Sequence, residues 1–369
     1  MTIINIATLA ALIKSRFRFD LVYRGVSIFS LAMLPAQAFS QETLNILNWD
    51  DYISPSVIEE WQEKTGSKVH IITYDDEEIR DVLLADGSQY QVDLAVVDAN
   101  SAKKLTSLGH VAELDGWDTL VTPSLMRADW TEQCGDRSVP YLWGTYGIAY
   151  RTDKLNEPVS SWSDLFSQRQ DMSGHIGMIS DYYSLWAPAL LTLQLQANSN
   201  ERKDLEAAIE LLKKQTGQVL TYEYAPSFLL NSKRKADLYV AIVYSGDQYT
   251  MNELVGEDVW QYVIPKEGAL VWLDCWIIPA RSQKRDLAMS FLTHIGQPDV
   301  AAINSEELGV AAVDMNAYRL QSQAFREDTL IYPSETDFRS LLPFEPMSDL
   351  QIRQRLRIQE AIKVIHESK

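Results

Sequence analysis

Carboxylates and aromatic rings stand side by side at several separated points of this chain. They occur in Asn48-Trp49-Asp50-Asp51-Tyr52, Val97-Asp98, Ser180-Asp181-Tyr182-Tyr183, Val243-Tyr244-Ser245-Gly246-Asp247 and Val271-Trp272-Leu273-Asp274, segments that read as the ends of strands. A carboxylate accepts charge-assisted hydrogen bonds from an organic cation, and a ring beside it attracts the same cation through its quadrupole. Gathered around one cleft, such pairs suit a linear ligand that carries amines at intervals along an apolar chain.

Other chemistries lack their residues. The five histidines, at positions 70, 110, 175, 294 and 366, show no metal-ligand spacing. The chain has no Cys-x-x-Cys pair, no Gly-x-Gly-x-x-Gly and no Gly-x-Ser-x-Gly elbow. Acids are plentiful, yet none is marked as the acid or nucleophile of a glycosidase pair, so no enzymatic activity and no cofactor is expected. The formal charge of −18 argues against nucleic acid, which demands a basic stripe.

The elements that must position these residues alternate between strands and helices, an α/β pattern. Strands are expected at 44–47, 69–72 and 93–97, with helices starting at Ser54-Pro55 and over 77–84 and 102–108 between and after them. Two strand-helix-strand units in about 65 residues call for a parallel sheet. Asp50 or Asp51 is a candidate cap for the first helix. After an irregular stretch at 115–137, strands are expected at 145–150, 175–179, 238–243, 259–264 and 271–279. Helices are expected at 203–215, 285–295 and 350–366, with a short helix capped at Ser161.

The N-terminus reads as an export leader. Lys14, Arg16, Arg18 and Arg24 precede the apolar run 26–34 and the small-x-small site Ala36-Gln37-Ala38. That run is too short to span a bilayer, which needs about 20 apolar residues. Cleavage after Ala38 would leave a soluble periplasmic chain with a charge of −21. In that oxidising compartment Cys134 and Cys275 could form a disulfide, or stay as two buried thiols, since spacing alone cannot bring their Cβ atoms together.

Four segments carry a family likeness: Leu47-Asn48-Trp49-x-x-Tyr52-Ile53, Pro140-Tyr141-Leu142-Trp143-Gly144, Pro265-Lys266-Glu267-Gly268-Ala269-x-x-Trp272-x-Asp274 and Asp328-Thr329-Leu330-x-Tyr332-Pro333. The chain resembles the periplasmic polyamine-binding proteins of the spermidine/putrescine type, from about Thr43 to Lys363. The third segment is the most specific. The resemblance implies the type II periplasmic binding fold, with two α/β lobes, each a mostly parallel sheet flanked by helices, joined by crossover hinges. Residues 1–38 would be the leader, 39–144 with 274–317 one lobe, and 145–273 with 318–369 the other. The chain is expected to be monomeric and to bind a polyamine such as spermidine, norspermidine or putrescine. Its membrane partner would be either the periplasmic domain of a GGDEF/EAL sensor controlling cyclic-di-GMP and biofilm formation, or an ABC permease.

Carried over by position, Trp49 and Tyr52 would form aromatic walls faced by Trp272 and Tyr244. Asp274 would be the principal carboxylate on an amine and Asp181 a second, with Asp50, Asp98 and Glu345 as further candidates. Each has a plainer alternative: a tryptophan can be core, a tyrosine can pack, and an aspartate after a strand often caps the next helix. The chain departs from the family at Ser184, where a glutamate is usual, at Asp98 and Asn100, where a hydroxyl and an aromatic are usual, and at Tyr244, a tryptophan position. These departures move charge along the cleft and bear on amine spacing. The adjacent Tyr182 and Tyr183 admit a ferric site of the kind found in iron-binding relatives, with no other placed ligand to support it.

Overall fold

The computed structural model describes residues 42–74, 77–85, 90–114, 116, 130–179, 183–343, 345 and 347–368. The proposed leader, Asp181 and Tyr182 lie outside the described residues.

The first half opens with β1 (Thr43–Asn48), β2 (Lys68–Thr73) and β3 (Leu94–Asp98). β1 pairs in parallel with both others, so their connections must cross over through helices. These are α1 (Pro55–Thr65) and α2 (Glu77–Ala85), and α3 (Ala99–Ser107) follows β3. α1 is capped by Ser54, whose hydroxyl accepts the Ser56 N–H, with Pro55 in the first turn and Gly66 ending it in the left-handed region. The cap is therefore neither Asp50 nor Asp51. Both are exposed in the turn after β1, too early in the chain to reach the first free amides of the helix. α3 starts three residues before its apolar pattern does, because Asp98 accepts the Ser101 N–H and caps it.

The sheet then turns antiparallel at its centre. β4 (Val139–Arg151) and β9 (Leu270–Ile277) run through the middle, and β5 (Ile176–Gly177), β6 (Val219–Thr221) and β7 (Val240–Tyr244) form a second parallel group. The order among the described residues is β2-β1-β3-β9-β4-β7-β5-β6. β8 (Trp260–Val263) and β10 (Ala311–Ala312) add to β4, and β11 (Leu342–Pro343) adds to β9. β4 is buried along its whole length and pairs with β9, β7, β8 and β10. It holds Pro140 without breaking because its register against β9 shifts between Pro140 and Trp143.

The two parallel groups have separate cores. In the first, Leu44, Ile46, Leu94 and Val96 face Trp61 and Phe291, while Leu47, Ala95 and Val97 face Trp143 and Ile277. In the second, Ile176, Val240 and Ile242 face Trp162 and Trp186, while Ala241 and Val243 face Trp260. Burial on both faces explains the unbroken apolar strings LAVV and VAIV. This is the two-lobed α/β fold. Cys134 and Cys275 are bonded and tie the helix Trp130–Cys134 to β9. Closing a loop of 141 residues restricts the unfolded chain by about 4–5 kcal/mol on the chain-entropy account. No described helix is long and apolar enough to cross a membrane.

Candidate functional site

β9 places two chemistry-bearing side chains on one face, because Trp272 and Asp274 are two residues apart in a strand. Trp272 lies opposite Gly144 of β4. A Cβ at position 144 would stand 2.5 Å from the Trp272 ring and 2.7 Å from the Ser245 hydroxyl, so the ring can cross β4 only over a glycine. From there it sits between Tyr52, with centroids 6.5 Å apart, and Tyr244, 6.2 Å away. Tyr244 is in turn 6.1 Å from Tyr224.

Each end of this row of rings has a carboxylate. At one end Asp274 lies beside Tyr52. At the other, Asp247 accepts the Tyr244 N–H at 2.8 Å and the Tyr224 hydroxyl. Asp247 opens the helix Asp247–Val255, and Gly246 before it has φ +102°; a Cβ there would stand 2.8 Å from the Gly309 carbonyl oxygen, so no side chain fits. The order along the row is acid, Tyr52, Trp272, Tyr244, acid.

Both acids resist ionisation. Burial pushes Asp274 up to about 7; Asp98 adds to this, while the Tyr52 hydroxyl and Arg80 oppose it. Burial likewise pushes Asp247 up to about 7, against the two hydrogen bonds it accepts. Tyr52 and Tyr224 are raised far above the ordinary phenol range, by burial first and by the neighbouring carboxylate second, so they remain donors. The Tyr52 hydroxyl faces Asp274 short of the geometry of a regular hydrogen bond. Together with Asn48 Nδ2 and Trp272 Nε1 it is a buried donor without a partner. A carboxylate held in such a place gains most from a cation that arrives with its own donors.

Exposure separates the tryptophans. Trp61, Trp130, Trp143, Trp162, Trp186, Trp260 and Trp276 are buried, whereas Trp49 and Trp272 stay partly open. Trp49 packs against Tyr74, with centroids 4.3 Å apart and the planes tilted by 46°, rather than on the central row, and Tyr74 is backed by Arg80. Of the residues expected from sequence, Tyr52, Tyr244, Trp272 and Asp274 come together. Asp98 lies directly opposite Asp274 across the β3–β9 pair, but is engaged by Arg80 at 2.9 Å. Asp50 is exposed in its turn. Glu345 is exposed too, and its backbone carbonyl rather than its carboxylate takes the Tyr183 hydroxyl. Tyr183 also accepts from Asn100, which links α3 to the second lobe.

Asp247 stands in one of the acid–aromatic segments but not among the binding residues that the resemblance implies, and Tyr224 and Arg80 are in neither. The Tyr244-x-x-Asp247 spacing was a signal for the first. Nothing local marks Tyr224 or Arg80, which reach the site from other elements. No group of three or more His, Cys, Asp or Glu among the described residues could hold a metal ion.

Comparison with known proteins gives the family and the fold. Residues 56–331 match the model of the bacterial extracellular solute-binding proteins. The chain is 30% identical over 352 residues to a norspermidine sensor of Vibrio cholerae, covering 95% of this chain and 96% of that one. It is 31% identical over 331 residues to a putrescine-binding periplasmic protein of Pseudomonas aeruginosa, covering 84% and 88%. Its fold matches a spermidine/putrescine ABC transporter substrate-binding protein of Streptococcus pneumoniae with a TM-score of 0.73, at 22% identity and covering 88% and 100%.

Proposed function

The chain belongs to the bacterial extracellular solute-binding protein family, and from that premise we propose that it is a periplasmic polyamine receptor that closes on its ligand. The observation that carries this reading is the row of rings Tyr52, Trp272 and Tyr244 with a carboxylate at each end, Asp274 buried and Asp247 partly so. The methylenes of a polyamine lie against the rings, each contributing on the order of 0.8 kcal/mol on burial. Its ammoniums meet the acids, each charge-assisted hydrogen bond adding roughly 1.5–3 kcal/mol net. The losses of chain and translational freedom offset much of this. An apolar or anionic solute would leave Asp274 and Asp247 desolvated and unmatched.

The hinge falls where β4 and β9 pass between the parallel groups, near residues 144 and 274, and closure brings the lobes onto ligand bound between them. The output is to a membrane sensor controlling cyclic-di-GMP and biofilm formation. The near full-length match to a norspermidine sensor supports it. The match to a putrescine-binding periplasmic protein favours the second reading, a substrate-binding subunit of a polyamine importer. Calorimetry with putrescine, norspermidine, spermidine and spermine tests the ligand class, and heat from none of them defeats the proposal. Deleting the gene in its host then separates the outputs. A sensor's loss abolishes the cyclic-di-GMP response to norspermidine and spares labelled polyamine uptake, and an importer's loss does the reverse.

A further inference from the structure

Arg80 is buried to 1% exposure at the Asp274 end of the cleft. It projects from α2 beneath the end of β3 and donates to Asp98 Oδ2 at 2.9 Å, to the Ser101 hydroxyl at 2.7 Å and to Asp81 at 2.9 Å. Its guanidinium also lies 6.0 Å from the centre of the Tyr74 ring that supports Trp49. The other oxygen of Asp98 accepts the Ser101 N–H. Asp98 therefore stands across the strand pair from Asp274 with a cation already on it. Counting Asp274, Asp98, Asp81 and Arg80, this end of the row holds three carboxylates and one cation. Asp81 is 48% exposed and screened by water, so Asp98, at 27%, is the less exposed of the two carboxylates that Arg80 balances.

We propose that Arg80 acts as an internal counter-charge that restricts the Asp274 end of the cleft to one ammonium, and so sets the preference between diamines and ligands with more amines. This rests on the polyamine reading above. An ammonium on Asp274 meets a carboxylate; a second, one short methylene spacer away, meets an Asp98 whose charge Arg80 already balances. Without Arg80 that second ammonium would have an acid of its own. Without the Asp98 charge, Arg80 would repel it.

The test is the ratio of putrescine to norspermidine dissociation constants, measured by calorimetry on the mature protein. Arg80→Met should move the ratio toward norspermidine by about tenfold or more, the size expected for one unscreened charge pair at this range. Asp98→Asn should move it toward putrescine. Arg80→Lys keeps the charge and should keep the ratio, whatever its effect on overall affinity. Opposite shifts for the first two variants are a result that loss of packing does not produce. Ratios flat within twofold, or moving together, overturn the inference; if Arg80→Met does not fold, a flat ratio for Asp98→Asn does so alone. Failure of the unaltered protein to bind either amine would instead sink the polyamine reading, and this inference with it.

Discussion

The two ends of the ring row carry the same residue type with the same elevated pKa, yet they are built differently. Asp247 begins a helix, and both of its oxygens are occupied, one by the Tyr224 hydroxyl and one by the Tyr244 N–H. Asp274 sits within a strand, where backbone bonding gives its carboxylate nothing, and only a loosely placed Tyr52 hydroxyl attends it. Its other neighbours are charges, Asp98 opposite and Arg80 behind. Asp247 is thus braced before any ligand comes, and Asp274 is left open. Asp247 is satisfied within the protein by the last amide of β7 and by a phenol, whereas Asp274, within its strand, must wait for a partner. The difference assigns Asp274 the stronger grip on an ammonium and Asp247 the part of a fixed terminus.

Substitutions can break this contrast. Asp274→Asn should have the largest effect, a loss of roughly 2–3 kcal/mol, or thirty- to more than a hundredfold in affinity by calorimetry, as one charge-assisted contact disappears. Asp247→Asn should cost less, about tenfold, because an amide oxygen still accepts one of its two internal hydrogen bonds. Equal losses at the two positions would make the ends equivalent and remove the contrast.

The pH dependence sharpens it. Binding needs ionised carboxylates, so affinity should fall as pH drops below about 7, by up to tenfold per unit for each acid that titrates. Stability of the ligand-free protein should run the other way. Between the ordinary carboxylate value near 4 and the native value near 7, the folded chain keeps protons that the unfolded chain has lost, so melting temperature should rise as pH falls through that window. Asp274→Asn should remove its share of both slopes.

Trp272→Ala should weaken binding by about tenfold through lost ring contact. Quenching of tryptophan fluorescence by ligand should diminish with it, since Trp49 would be the remaining partly exposed reporter among the described tryptophans. The smallest effect belongs to Tyr224→Phe. Removing a hydrogen bond that favours ionised Asp247 should move the acid limb of the affinity profile to higher pH, with a loss of only severalfold at pH 7. A change at pH 7 as large as that of Asp274→Asn would show that the braced acid carries the binding.

Much of the fold was legible because burial writes itself into local pattern. The helix Arg285–Ile295 has the expected bounds, and Asp349–Glu367 differs by one residue at each end. The Ser161 cap is present as a full capping box with Asp164. The helices Trp186–Thr192 and Ala225–Asn231 escaped notice. The first is buried nearly all round and shows no apolar stripe, and the second has only seven residues with a proline in its first turn. Within the site, Tyr52, Trp272 and Asp274 could be read from contiguous segments, and Tyr244 with its neighbour Asp247 from one strand end.

What the chain of letters decided was the set of local elements and the acid–aromatic pairs at strand ends, because periodicity, caps and turn residues act over a few positions. Which of those pairs meet was decided by the fold. Only the β3–β9 register sets Asp98 against Asp274, only Gly144 lets Trp272 cross to Tyr244, and only α2 delivers Arg80 beneath them. Those contacts join residues up to about two hundred positions apart, and the energy that selects them comes from burying whole sheets and helices, which no short stretch of sequence encodes.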